Sequence, residues 1–403
     1  MVFASSNLSS IQKTRMRTIL KTILDHKRLT RSRLGNLLDM SLSSVVKYVK
    51  TLIDMGFIRE TDEGVSTGGR RSTYLELNPE AGLNIAVVFN LTYMEAVLID
   101  VLGEEAARFS TPTYQGIPKE ELLGLLFTCI DRMLEAADKL EKKVIGIGIG
   151  LGGFIDPNKG ISHEYLYANG WYDVPLRQII EEKYERPCFL INDTNACALM
   201  EKYYGMGVGV DHFLCVMLGE GIGMGIIVNG EIYMGGSFYA GELGHTHFTD
   251  EGKLCYCGHT GCLETISSKQ HVIALAREGL AKGVHSEILA YCDHDPDNLE
   301  IRHIIKAANN GDRFARNLFN QIGEHLGRKL ADIANIFNPE LIILRGDVID
   351  ENRVLYESIE RSILNLTLRP IAASLEVLFS EKHEDTRFRG ISSYIFINYF
   401  YQG

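Results

Sequence analysis

Glu242-Leu-Gly-His245, followed by Cys255-Tyr-Cys257-Gly-His259-Thr-Gly-Cys262-Leu-Glu264, is the most specific chemical pattern in this 403-residue chain. Three thiolates and an imidazole suit a tetrahedral zinc ion. Gly258 and Gly261 permit the tight turns that bring closely spaced cysteines onto one metal. His245, His247 and His259 compete as the nitrogen donor. Four protein ligands leave no open coordination position, so the expected ion is structural, one zinc per chain, and not hydrolytic.

Working outward from this loop, the length excludes a single small domain and calls for at least two cores. No apolar run approaches the roughly 18 to 20 residues needed to span a bilayer, so no membrane insertion is expected. The segment Met1–Ser10 lacks the basic stretch and apolar run of a secretory signal, which places the chain in the cytoplasm with its 8 cysteines mostly reduced. The net charge of -11 conceals an asymmetry. Residues 1–80 carry 13 Lys and Arg against 8 Asp and Glu, and the rest carries 28 against 44. Only the N-terminal segment is basic enough to bind a polyanion.

That segment reads as three helices and a hairpin. Met16, Ile19, Leu20, Ile23 and Leu24 recur at helical spacing over 12–26. Thr30 caps a second helix over 31–38, and Ser41 caps a third over 42–55. In the third helix Leu42, Val45, Val49, Leu52 and Ile53 form the expected inward face, leaving Ser43, Ser44, Lys47, Tyr48 and Lys50 outside. A strand from Phe57, a basic turn Ser66-Thr-Gly-Gly-Arg70-Arg71 and a strand to Leu77 complete a winged helix-turn-helix. Its candidate DNA-binding residues are Ser43, Ser44, Lys47, Tyr48, Arg70 and Arg71, with a double-stranded operator as the partner. The expected domains are 1–78 for the winged helix and, after the linker Asn78–Gly82, 83–403 for the remainder.

In that remainder, strands expected over 85–89, 95–101, 144–151, 188–191, 213–218, 224–229 and 341–344 alternate with helices over 119–140, 194–204 and 315–337. The pattern predicts an α/β architecture in two lobes. Gly148-Ile-Gly-Leu-Gly-Gly153 satisfies a dinucleotide fingerprint, with Asp173 downstream. A turn follows Gly153 where that fingerprint needs a helix N-terminus, so a dehydrogenase is excluded. Asn192-Asp193-Thr-Asn195 lies where a strand ends and a helix opens. Asp193 there suits either a helix cap or a carboxylate that accepts protons or hydrogen bonds from hydroxyls.

Together, the wing, Gly146 to Asp156, Asn192-Asp193, Leu218 to Gly225, Gly241-Glu-Leu-Gly-His245, the cysteine loop and Asn338-Pro-Glu340 resemble the ROK family of repressors and sugar kinases. The closest likeness is to its branch of sugar-responsive transcriptional regulators with an N-terminal winged helix. The resemblance implies an actin-like sugar-kinase fold, a two-lobed ROK domain with zinc on His245, Cys255, Cys257 and Cys262 (loop 245–262), and a sugar site of Asn192, Asp193, Glu242, His245 and Glu264. In kinases of the family Asp193 would be the catalytic base, and two glycine-rich turns would hold ATP. The first turn, expected as D-x-G-G-T, reads Val88-Phe-Asn90-Leu91-Thr92. The second, expected as L-G-T-G-x-G, reads Leu218-Gly-Glu220-Gly-Ile-Gly223, and Leu344-Arg-Gly-Asp347 lacks a glycine pair. A carboxylate repels polyphosphate, so the chain is expected to be a sugar sensor with a vestigial base, not an enzyme. The alternative is an ATP-dependent sugar kinase with an appended DNA-binding domain. The expected effector is a sugar or sugar phosphate acting on a repressor. A homodimer or homotetramer is also expected, with 322–337 and the aromatic tail 394–401 as candidate contact surfaces, although such segments are more often core. A third reading takes a sugar-transporter protein as the signal partner, and the retained sugar-site residues weigh against it.

Overall fold

The computed structural model describes residues 8–61, 73–379 and 386–401. Ser9, Thr30 and Ser41 each cap a helix by accepting a backbone N–H, giving helices Ser10–His26, Arg31–Leu37 and Leu42–Asp54. Met16, Ile19, Leu20, Ile23 and Leu24 are all buried, so the apolar spacing of the first helix is its core face. Strand Tyr74–Leu77 pairs antiparallel with Ile58–Thr61 on one side and Leu29–Thr30 on the other. This is a three-helix unit with a small sheet. Its linker is a short 3-10 turn, Pro79–Ala81, started by Asn78, which also donates to Gly56 O at 2.8 Å. The inward face of the third helix is narrower than its apolar residues suggest. Val45, Val49 and Leu52 are buried, but Leu42 is 60% exposed beside the helix start and joins the outer face.

The chain divides into two compact units, Met1–Gly209 with Thr386–Gly403, and Val210–Asp385. In the first, strands run in the order Cys188–Asn192, Val144–Leu151, Leu83–Phe89, Tyr93–Asp100, Glu105–Pro112. The first three are parallel and the last three form an antiparallel meander. Helix Lys119–Lys139 packs Leu122, Leu126, Ile130 and Met133 into the core of this sheet. The C-terminal helix Arg387–Asn398 packs on strands Leu83–Phe89 and Val144–Leu151 and on helix Asp193–Tyr204.

That packing explains the alternating glycines of strand Val144–Leu151. A Cβ at Gly148 would lie 2.4 Å from Ile391 and one at Gly150 2.7 Å from the same side chain, while one at Gly146 would lie 2.9 Å from Ile395. The glycines admit a helix to the sheet. Strand Phe154–Asp156 follows them, so the chain continues from the Gly-rich segment as a strand and not as the helix the dinucleotide fingerprint needs.

The second unit repeats the scheme. Strands Phe213–Leu218, Ile222–Val228 and Glu231–Ile232 form an antiparallel meander, and Leu341–Arg345 and Glu376–Phe379 add in parallel beside the first of them. Helices Ile301–Asn309, Arg313–Phe337 and Arg353–Leu366 bury Ile304, Leu326, Leu330 and Ile359 in its core. Both proposed contact surfaces are largely core. Ile322 is buried, and of the apolar residues over 322–337 only Ile336 and Phe337, at the helix end, are exposed; in the tail Ile395, Phe396 and Phe400 are buried. Among the described residues, no helix is long and apolar enough to cross a membrane.

Candidate functional site

In the second unit, one ligand atom from each of His245, Cys255, Cys257 and Cys262 lies within 4.8 Å of the other three. Cys255 Sγ is 3.6 Å from His245 Nδ1, and Cys257 Sγ is 3.6 Å from Cys262 Sγ. A tetrahedron of zinc–ligand bonds has edges of about 3.3 to 3.8 Å, and these two contacts fall within that span. Gly258 (φ +88°) and Gly261 (φ +73°) supply the left-handed turns of the loop. Of the competing imidazoles, His247 is turned to Asp250 at 3.1 Å. His259 approaches Cys257 alone, at 3.6 Å.

The thiols are electrostatically unequal. Burial opposes ionisation of Cys257, but hydrogen bonds from the His259 backbone and ring and from Cys255 and Cys262 bring it down to about 7. Burial and its bonds to Cys257 and Cys255 push Cys262 up to about 12. Three thiolates in one pocket repel one another unless a cation is shared, which is the condition a divalent metal meets.

The loop also fixes two carboxylates. Tyr256 Oη meets His245 Nε2 at 2.8 Å and hydrogen-bonds Glu264, while Glu242 Oε2 stands 3.9 Å from the same His245 nitrogen. His245 thus presents Nδ1 to the sulfurs and Nε2 to Tyr256, the arrangement by which an outer partner orients a metal-binding imidazole. Glu264 is 9% exposed and accepts the Ile222 N–H at 2.8 Å. Burial raises its carboxyl above the usual range despite that bond and the one from Tyr256. A Cβ at Gly221 would lie 2.8 Å from Glu264 Oε2, so the glycine turn Leu218–Gly223 is shaped around this carboxylate. On its other side Glu220 pairs with Lys269 Nζ at 2.8 Å, and Asp347 pairs with the same ammonium at 2.6 Å.

In the first unit, Asn192 is the N-cap of helix Asp193–Tyr204, its Oδ1 accepting the Thr194 N–H at 2.9 Å. Asp193 Oδ1 accepts the same N–H at 2.8 Å, while Oδ2 faces Arg387 Nη1 at 3.4 Å. Arg387 donates more tightly, at 2.6 Å, to Oδ1 of Asn90 in the first turn. The Asn90 Nδ2 atom is buried without a hydrogen-bond partner among the described residues. Thus Asn192 does the capping, and Asp193 keeps one oxygen directed at a cation. Glu242, His245 and Glu264 belong to the second unit.

On the third helix Ser43, Lys47 and Lys50 are exposed and Ser44 and Tyr48 half-buried. Ser41 Oγ accepts the Ser44 N–H at 3.3 Å, and Lys47 Nζ lies 5.7 Å from the Tyr48 ring centre. Exposed Leu42 and Val46 lie among them and were not anticipated on this face. Arg70 and Arg71 lie outside the described residues. Lys269 and Arg387, which help complete the two sites, belong to no recognisable motif, and Tyr256, inside the cysteine motif, carries no signal of its role in the sequence.

The chain is 34% identical over 341 residues to the putative xylose repressor of Caldicellulosiruptor sp. (strain Rt8B.4), covering 84% of each chain. Among solved structures it resembles a ROK family transcriptional regulator described as a homologue of the E. coli MLC protein, at 26% identity and TM-score 0.84, covering 98% of this chain and 97% of that one. It also resembles a ROK family glucokinase from Streptomyces griseus in complex with glucose and AMPPNP, at 27% identity and TM-score 0.69, over 78% of this chain and 99% of that one. A winged helix-turn-helix DNA-binding family model matches residues 14–59. The two sheets of like topology, but for Leu83 and Asn84, together with the cysteine loop and the Asn192-Asp193 helix start, fall within residues 85–394, over which the ROK family model matches, and the chain belongs to the ROK family.

Proposed function

We infer that this chain is a sugar-responsive DNA-binding transcriptional regulator, a repressor whose hold on its operator changes when a sugar or sugar derivative binds the ROK domain. The observation that carries this reading is the winged helix-turn-helix joined to a ROK domain in a chain similar over most of its length to a putative xylose repressor. The third helix would enter the major groove, with Ser43, Ser44, Lys47 and Tyr48 at base edges and phosphates and Leu42 and Val46 against thymine methyl groups. Arg70 and Arg71 would reach phosphate or the minor groove. Two such units in a homodimer or homotetramer suit a two-fold operator.

The sugar would be held by Asn192, Asp193, Glu242, His245 and Glu264, whose carboxylates and amides suit vicinal hydroxyls. Zinc on His245, Cys255, Cys257 and Cys262 would fix the loop that carries Tyr256 and orients Glu242 and Glu264. The likeness to a glucokinase favours a second reading, an ATP-dependent sugar kinase. Two features weigh against it. Val88 replaces the carboxylate of the first phosphate turn and Asn90 and Leu91 its glycines. In the second, Glu220 and Asp347 already share the cation Lys269. Phosphoryl transfer depends on neutralising phosphate charge at these turns.

The test is selection of duplexes from a random DNA library, followed by fluorescence anisotropy on the recovered duplex with D-xylose and D-glucose. The expected result is a two-fold symmetric site whose affinity changes with one sugar and no ATP hydrolysis above background. Turnover that vanishes in Asp193→Asn would establish the kinase reading instead.

A further inference from the structure

Two helices of the first unit begin side by side, one at Asp193 and one at Arg387, and both end on the winged helix. Helix Asp193–Tyr204 opens with the carboxylate itself. At its far end Lys202, buried, pairs with Asp25 at 3.1 Å, and Tyr203 O accepts from Lys27 Nζ at 2.7 Å. Asp25 and Lys27 lie at the end of the first helix of the winged helix-turn-helix. The C-terminal helix opens with Arg387, bonded to Asn90 and Asp193, and ends in an aromatic cluster. There Phe57, which leads into the hairpin after the third helix, lies 5.5 Å from Phe396, 5.2 Å from Tyr399 and 5.4 Å from Phe400, centre to centre. The two helices touch backbone to side along their length, for a Cβ at Gly390 would fall 1.8 Å from Ala196 O. Tyr204 Oη and Ser393 Oγ bond at 3.1 Å further along.

We propose that Arg387 is the positioning residue through which a sugar on Asp193 reaches the winged helix. This rests on the reading of Asp193 as a sugar ligand. Arg387 holds Asn90 tightly and Asp193 loosely, at 2.6 Å against 3.4 Å. A hydroxyl that donates to Asp193 Oδ2 competes with the looser contact and leaves the tighter one, so the first turn of the C-terminal helix loses its anchor on Asp193. The orphaned Asn90 Nδ2 is a ready donor to an oxygen arriving there. With glycines removing every cushion between this helix, the sheet and its neighbour, a shift at Arg387 moves the helix as a body and carries the Phe396–Phe400 end with it. A ligand changes the DNA-competent population only through such a difference between states.

Hydrogen–deuterium exchange of the full chain tests this, with and without D-xylose and D-glucose, in wild type, Arg387→Gln and Arg387→Lys. Without sugar, Arg387→Gln raises exchange about threefold or more in peptides covering 387–398 and also in those covering 10–26 and 42–61, and Arg387→Lys restores most of the protection. A rise confined to the first turn of the C-terminal helix overturns the proposal. With sugar, wild type changes exchange in the winged-helix peptides, whereas Arg387→Gln, shown by calorimetry to bind the sugar, does not. Equal transmission by the variant also overturns it. If calorimetry shows that wild type binds neither sugar, the proposed effector class fails for those two, and the sugar-free comparison still decides the role of Arg387.

Discussion

Strands Leu83–Phe89 and Tyr93–Asp100 of the first unit, and Phe213–Leu218 and Ile222–Val228 of the second, are the same hairpin at the same place in two like sheets. Each turn is met by a cation from the first residue of a helix. In the second unit Lys269 lies between two carboxylates, Glu220 and Asp347, and opens helix Lys269–Ala281, which stays within that unit's core. In the first, Arg387 lies between an amide and a carboxylate and opens the helix that ends on the winged helix. One turn is closed by a local ion cluster with one carboxylate in excess, and the other is tied to the DNA-binding half. The difference teaches that like topology does not imply like function: what matters is where the helix behind the cation leads.

The comparison breaks most severely at Gly390. Gly390→Ala sets a Cβ against the immovable Ala196 carbonyl, and a loss of more than about 3 kcal/mol is expected in urea unfolding. Gly323→Ala in the second unit meets Ser358 Cβ at 2.5 Å and Oγ at 2.6 Å, of which only the hydroxyl can rotate away; the overlap is smaller than the 1.8 Å approach at Gly390, and the loss is smaller. Equal losses would mean that the two units tolerate helix displacement alike.

Next is the metal. Purified chain is expected to hold about one zinc, measured by elemental analysis, and Cys257→Ser to hold none. At metal a hundredfold above its dissociation constant that loss costs about 2.7 kcal/mol, read as lower thermal stability of the second unit with the first unaffected.

A smaller effect isolates the local cluster. Lys269→Met leaves Glu220 and Asp347 facing each other without a cation and costs about 1 kcal/mol, since Asp347 is half exposed and solvent screens the pair. Burial works against the Lys269 ammonium, but Asp347 and Glu220 outweigh it and hold it above its ordinary value of 10.5. A raised cation stabilises fully below that value and loses its contribution as pH rises through the folded-state value. Wild type and variant therefore converge only in strongly alkaline solution.

The smallest effect lies on the DNA face. Lys47→Ala is expected to lower the slope of log affinity against log salt by about 0.9 through the loss of one phosphate contact, with sugar binding unchanged. An unchanged slope in anisotropy titrations would remove Lys47 from the interface.

Local signals in the sequence were read well because their causes are local. Thr30 and Ser41 cap the helices they announce, and the cysteine spacing alone gathers three of the cluster's four ligands. Leu42 was misassigned because an apolar residue in a helix's first turn has no preceding turn to pack against, and spacing cannot reveal that. Strand Glu105–Pro112 went unseen, since this edge strand buries no residue fully and lacks an apolar signature. Arg387 and Asn90 meet only through the tertiary fold, and no motif links positions so far apart. Tyr256 lies inside the cysteine loop, but its role depends on which way the ring points. The glycines of strand Val144–Leu151 were legible as a pattern and misleading as chemistry, because Ile391 and Ile395, for which they make room, come near the end of the chain.

The aromatic cluster at Phe57 also sets an order of assembly. Synthesis at roughly 5 to 20 residues per second delivers the winged helix to the outside of the ribosome tens of seconds before Phe396 and Phe400 exist. Throughout that interval Phe57, only 6% exposed in the finished protein, has none of the rings that will cover it. A ring made early is therefore covered by rings made much later. A nascent chain that has not yet reached Phe396 bears an uncovered aromatic on its DNA-binding half.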